Sequence, residues 1–346
     1  MRKLLAATCL TPLSFALFPA GANAETVIST AITTPVLTST GNDDVRISST
    51  GSVKPTSGNA VTIDSNDSVK NEGAIQITGS NNSTGILANT GLTGNITNTG
   101  TIVIDENVTP TDTDTDGDLD GPFAQGTNRF GIHVLGGGTF TGNIANSGGI
   151  TVEGNQSAAI AIDSTLAGNI ALTGGTINVF GDNAVGVRAA AVNGNVSLTS
   201  GTILVQGAGA VGVQLGGNIS GALVIQNSVT STGYRYLNPP ADTSKLDADD
   251  LLQGGSAVVV AGNVAGGILF DTRPADTSTT DTDEDDDGIA DASEGNASIT
   301  SFGAGACCAV EVDVRPTAAS PRTIRLRIAD CGLRIRGASG RAWRNG

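Results

Sequence analysis

Six short cassettes of Gly-Asn followed by Ile or Val recur along the chain, beginning at Gly94, Gly142, Gly168, Gly194, Gly217 and Gly262. The intervals are 48, 26, 26, 23 and 45 residues, so the two long gaps are near-doubled short ones. A period in the twenties carried by glycine and β-branched residues means a stack of similar units, each burying its apolar face only against its neighbours. Length therefore says little about domain number in this chain of 346 residues. With 48 glycines and only 3% aromatics, the composition suits tight corners around a narrow aliphatic interior. Disorder is the competing explanation for so much Gly, Ser, Thr and Asn, but disorder does not space apolar residues periodically.

Aligning the cassettes gives three short strands per repeat. Ile160-Ala161-Ile162 is followed by Gly168-Asn169-Ile170-Ala171-Leu172 and then by Gly175-Thr176-Ile177-Asn178-Val179, before the next repeat opens at Val185. Apolar residues alternate within each strand, as expected when one face is buried. Gly, Asn and Asp fall between strands, where corners need positive φ or side-chain hydrogen bonds to the backbone. Three columns follow: Ile132, Ile160, Val187, Val213; Ile96, Ile144, Ile170, Val196, Ile219, Val264; and Ile75, Ile102, Ile150, Ile177, Ile203. Like residues stacked on like predict an all-β fold: a single-chain parallel β-helix, three strands per coil of about 23–28 residues, eight to ten coils making a rod roughly 40–50 Å long. A sandwich of hairpins is the competing fold, and it leaves the shared period of the columns unexplained.

Residues 1–24 read as a secretory signal: Arg2 and Lys3, an apolar stretch to about Phe18, and Ala22-Asn23-Ala24 as the cleavage site. The repeat body is expected over 25–304, with insertions at 105–122, 231–254 and 271–295. It contains no cysteine; Cys307, Cys308 and Cys331 lie in a tail over 305–346. The body carries 8 Lys/Arg against 30 Asp/Glu and the tail 8 Arg against 3 acids. So acidic a body is hostile to nucleic acid and to anionic lipid. It is compatible with divalent cations and with a solvated surface polymer. In the second insertion, Tyr234 and Tyr236 are candidate partner contacts, or else pack their own loop against the body.

The sharpest local motif is the run Asp283 to Glu294. Asp283, Asp285, Asp287, Asp291 and Glu294 stand at loop positions 1, 3, 5, 9 and 12, with Gly288 at 6 and the Ile289 carbonyl between, a spacing that wraps oxygens around Ca²⁺. It resembles the calcium loops of thrombospondin type 3 repeats. A weaker site is Asp112, Asp114, Asp116, Asp118 and Asp120, which reaches Pro122 where a closing acid should stand. The plain alternative for both is a solvated acidic loop.

Signals for catalysis are sparse. The single histidine, His133, lies between Ile132 and Val134 on a strand and is expected to face solvent. No Gly-x-Ser-x-Gly elbow accompanies it. A polysaccharide lyase or hydrolase acting on extracellular glycans is the alternative function, for which Asp163, Asp182 and Arg188 are the residues that could share a face.

With these features assembled, residues 1–304 resemble the passenger region of bacterial autotransporters, the type V secreted proteins. The likeness rests on the repeated cassettes, on Asp112–Phe123 followed by Gly126-Thr127-Asn128-Arg129-Phe130-Gly131-Ile132, and on Asp283–Phe302. The resemblance implies a right-handed β-helix exported through outer-membrane assembly and export machinery to the cell surface. There passengers mostly act as structural stalks or adhesins toward host or abiotic surfaces or envelope glycans. It carries over no catalytic residue. The family's membrane β-barrel is missing from this chain, and the Arg-rich tail from Gly305, where the repeat is expected to stop, reads as a frameshifted passenger–barrel junction or as a basic tail for an anionic partner. Without a barrel the expected location is the periplasm.

Overall fold

The computed structural model describes residues 25–113, 115, 119–234, 244, 246, 248–273, 277–278, 280–284, 290–302, 308–312, 325–326 and 334–337. Among the described residues there is no α-helix, and every strand-to-strand pairing is parallel, in one sheet of 17 strands and another of 11. The architecture is therefore all-β with parallel sheets, compatible with a parallel solenoid or a barrel.

Most pairings fall into three ladders, with Thr139–Thr141 pairing apart from them on the end of Ala158–Ala167. In the first, Asp44–Ile47, Val69–Asn71, Ile96–Asn98 and Ile144–Asn146 pair in turn and lead onto the front half of Ile170–Phe180. It continues through Val196–Gln206, Leu223–Ile225 and Ile268–Phe270. In the second, Ala74–Thr78, Thr101–Asp105 and Gly149–Glu153 lead onto the back half of Ile170–Phe180, then to Val196–Gln206, Ser228–Thr232 and Ser298–Phe302. The third runs Asn59–Ile63, Ser83–Ala88, Arg129–Val134, Ala158–Ala167, Val185–Val192, Val211–Leu215 and Val258–Val260.

Register follows the isoleucines. Ile75, Ile102, Ile150, Ile177 and Ile203 are direct partners along the second ladder, and Ile132, Ile160, Val187 and Val213 along the third. These side chains are at most 2% exposed and join one continuous core. Fully burying each contributes about 1.5–3 kcal/mol, which a one-residue slip would forfeit by turning the whole strand inside out.

One expectation is corrected. Ile96, Ile144, Ile170 and Val196 do share a column, but it continues to Leu223 and Ile268, not to Ile219 and Val264. Ile219 instead bridges Val192 and Val264, at the neighbouring corner. The cassettes thus serve two corners. At the first, a Cβ on Gly142, Gly168 or Gly194 would lie 1.9, 2.0 or 2.2 Å from the carbonyl oxygen of the glycine one repeat earlier, so no side chain fits there. Gly221 continues that corner, whereas Gly217 and Gly262 stack at the second.

The asparagines explain the rest of the cassette. Asn95, Asn143 and Asn169 each accept, on Oδ1, the backbone N–H of the asparagine one repeat later, at 2.9, 2.9 and 2.8 Å. Asn195 does the same for Ala222 at 2.9 Å, and Asn218 for Asn263 at 3.0 Å. Corner amides that the ladders leave unpaired are satisfied in this way.

The strands run to Asp105 and Thr232, and both of the first two insertions then connect the second ladder to the third. The two touch where the Gly121 N–H donates to Asp249 at 2.7 Å. The third insertion leaves instead between the first ladder and the second, after Phe270. Past Ala304, Cys308–Val312 pairs on Val258–Val260, Arg325–Leu326 on Leu269–Phe270, and Arg334–Gly337 on Cys308–Val312, so parallel pairing extends into the tail. Cys308 is buried above Val258, and desolvation pushes its thiol up to about 12.

Candidate functional site

Among the described residues, a group of chemistry-bearing side chains converges on the outer surface of the third ladder. Phe130 and His133 point outward from Arg129–Val134; one repeat on, their partners are the small Ala158 and Ala161; one further, Val185 and Arg188. Alanine in the middle strand leaves room above it. Asp163 fills that room from the start of a register shift after Ile162.

His133 Nε2 lies 2.9 Å from Asp163 Oδ2, and Arg188 donates to the same carboxylate through Nε and Nη2, both at 2.9 Å. The imidazole stacks on the Phe130 ring at 4.1 Å, and the Arg188 guanidinium lies 5.8 Å from the centre of that ring. The hydrogen bond from His133, and next those from Arg188, hold Asp163 down at about 2. It is thus ionised throughout the physiological range, a poor general acid and a weak base. Its chemistry is to orient the imidazole and guanidinium on a shallow aromatic surface.

His133 does face outward, but it is not bare: only 13% of its side chain is exposed. Of Asp163, Asp182 and Arg188, the structure brings together the first and third only. Asp182 belongs to a corner, where its N–H donates to Asn155 Oδ1 at 2.8 Å and its own Oδ1 accepts from Ala208 at 2.9 Å.

For the proposed calcium loop, Asp285, Asp287 and Ile289 lie outside the described residues. Asp283, Asp291 and Glu294 are described. Asp291 Oδ1 accepts the Glu284 N–H at 3.4 Å, and Glu294 turns toward the body, accepting from Gln226 Nε2 at 3.1 Å. In the weaker run, Asp114, Asp116 and Asp118 lie outside the described residues. Asp112 accepts from Thr115 at 2.7 Å, and Asp120 accepts from the backbone and hydroxyl of Thr113, so these two are held by their own loop. Among the described residues no three acidic, His or Cys side chains gather as a metal cluster.

Two features escape a reading of the sequence. Arg129 and Glu106 form a buried ion pair, Nη1 to Oε1 at 2.6 Å, with side chains 3% and 7% exposed. Glu106 also accepts the N–H groups of Gln125 and Gly126, closing the base of the first insertion. The Glu106 N–H donates to Glu153 at 3.0 Å, and burial holds that carboxyl above the ordinary range. The available signal was the one cation directly after an acidic insertion. Tyr234 packs near the Phe302 ring, with centroids 6.5 Å apart, and its hydroxyl accepts from Gln253 at 3.2 Å. Tyr236 lies outside the described residues.

No protein-family model matches this chain, and neither the curated proteins nor the solved structures contain a significant match to it.

Proposed function

We propose that the chain is a single-chain parallel β-helix, three strands per coil, that serves as the structural and adhesive rod of an autotransporter-like passenger. The observation that carries this reading is in-register stacking of identical chemistry: isoleucine on isoleucine, glycine on glycine, asparagine on asparagine across successive repeats. Stacking of this kind builds length and an extended surface out of nearest-neighbour contacts. The signal-like N-terminus supports export by outer-membrane machinery to the cell surface, where host or abiotic surfaces and envelope glycans are the partners. The acidic body speaks against nucleic acid. Ca²⁺ bound on the third insertion stiffens the rod. Beads coated with the purified chain are expected to adhere to epithelial, abiotic or glycan-coated surfaces above albumin-coated beads, more so with Ca²⁺ than with chelator. Adhesion equal to albumin on every surface overturns the reading.

A second reading, glycan cleavage on the outer face of the third ladder, is favoured by the convergence of His133, Asp163 and Arg188. Incubation with a broad panel of pectin-like and bacterial glycans tests it. New reducing ends that disappear in His133→Gln support it, and an untouched panel removes it.

A further inference from the structure

The corner between Leu223–Ile225 and Ser228–Thr232 is made of Gln226 and Asn227. Equivalent corners one, two and more repeats earlier are built from small residues: Thr99-Gly100, Ser147-Gly148, Thr173-Gly174 and Thr199-Ser200. Two long amides here are therefore a departure from the repeat, and they are buried, Gln226 at 0% and Asn227 at 2% exposure. Neither Oδ1 nor Nδ2 of Asn227 has a hydrogen-bond partner, and Gln226 Oε1 has none either. Leaving such groups desolvated is costly, so a ligand in contact with them recovers that cost.

What covers them is the third insertion, closing from both ends. At its start, the Asp271 N–H donates to the Ile225 carbonyl at 3.3 Å, which seats Asp271 one rung beyond Gln226. At its end, Glu294 accepts from Gln226, and Gly295 lies so close that a Cβ would be 2.2 Å from the carbonyl oxygens of both Gln226 and Thr199. The Ala297 N–H donates to the Asp271 carbonyl at 2.9 Å, tying the two ends together. Asp271 and Glu294 are only 8% and 9% exposed. The Glu294 carboxylate thus meets the Gln226 amide directly, and Asp271, whose Oδ1 accepts the Thr272 N–H at 2.8 Å, stands on the next rung; amide and carboxylate oxygens are the donors a hard cation takes.

We propose that Gln226, Asn227, Asp271 and Glu294 form a binding site for a divalent cation of the calcium class, which locks the third insertion onto the body. The ion draws the amide oxygens inward; the Gln226 amide turns over, so that its oxygen and the Glu294 carboxylate face the same ion. This rests on the reading that the third insertion takes Ca²⁺, but it moves the ion from the Asp283–Asp287 arc to the corner of the ladders. A cation here explains why the terminal carboxylate of the acidic run faces Gln226.

The test is calcium titration of the full, chelator-stripped chain by calorimetry and by thermal unfolding, with two sets of variants. Gln226→Met and Glu294→Gln are each expected to weaken Ca²⁺ binding by about 10-fold or more and to abolish the calcium-induced rise in Tm. The double variant Asp285→Asn/Asp287→Asn is expected to change affinity by less than about threefold, a smaller effect than loss of a direct ligand. Because Glu294 also closes the acidic run, Gln226→Met is the deciding variant, and if it does not fold Asn227→Leu takes its place. Loss of binding in the Asp285/Asp287 variant with Gln226→Met at wild-type affinity overturns the corner site and leaves the loop reading standing. Absence of calcium binding by the wild-type chain overturns both, and the amides are then served by buried water.

Discussion

Two stacks of asparagine run through the same repeats, a few residues apart in sequence. Asn71, Asn98 and Asn146 point into the core side of the first ladder and are at most 1% exposed, with Nδ2 to Oδ1 bonds of 2.7 Å between successive members. Asn95, Asn143, Asn169 and Asn195 stand at the preceding corner in contact with solvent, where they hold backbone N–H groups. The inner stack has no water to fall back on. Its column begins after Ile47 and is replaced by Leu172 and Leu198 beyond Asn146, so apolar residues fill the same positions elsewhere. The same side chain thus acts as an internal spine that fixes which repeat sits on which, and as an outer clip that shapes a corner. Burial separates the two roles.

The largest expected effect tests the inner stack. Asn98→Ala strands one hydrogen of Asn71 Nδ2 and the Oδ1 of Asn146 in a dry interior and leaves a small void. Together these cost about 3–5 kcal/mol in urea unfolding. Replacing Asn71, Asn98 and Asn146 all by Leu, as in the later repeats, removes donors and acceptors together and is expected to cost under about 2 kcal/mol. A single Asn98→Ala variant within about 1 kcal/mol of wild type would mean that burial does not distinguish the stacks.

The outer stack is expected to give less. Asn143→Ala frees the Asn169 N–H, which water can then take, so the loss is about 1 kcal/mol, as for a lost helix cap. Asn143→Asp keeps the accepting oxygen and is expected to lie close to wild type, because Asp182 already plays that part toward Ala208 at another corner. A loss in Asn143→Ala as large as in Asn98→Ala breaks the comparison from the other side.

The asparagine corners also show where the sequence is legible and where it is not. Period, strand positions and the isoleucine columns are readable because a buried aliphatic side chain must repeat at every rung. The misplaced members, Ile219 and Val264, have a physical cause: Asn218 caps Asn263 just as Asn143 caps Asn169, so Gly-Asn followed by a β-branched residue suits two corners equally. A motif that solves a backbone problem reports the problem, not its location. The partnership of His133 with Asp163 is hidden for a different reason. It spans 30 residues and depends on a register shift that alternation alone does not disclose. Gln226 and Asn227 read as ordinary corner polars until their burial is seen.

The outer face of the third ladder extends the comparison to charge, with the smallest expected effect. Asp163 is 35% exposed between His133 and Arg188, and its carboxyl is lowered from 3.8 to about 2, first by the hydrogen bond from His133. A depressed carboxyl favours the folded state when ionised. Its contribution is therefore complete above 3.8 and is lost as the pH falls toward 2. Solvent screens a pair this open, so Asp163→Asn is expected to cost less than about 1 kcal/mol at neutral pH. The gap between wild type and Asp163→Asn is expected to close across that same acid window, which unfolding curves at stepped pH would resolve. Titration of the Asp163 carboxyl by NMR gives the direct check. A midpoint at the ordinary aspartate value means that the His133–Asp163–Arg188 contacts do not persist in solution, and burial alone, without charge, would then rank the polar contacts of this fold.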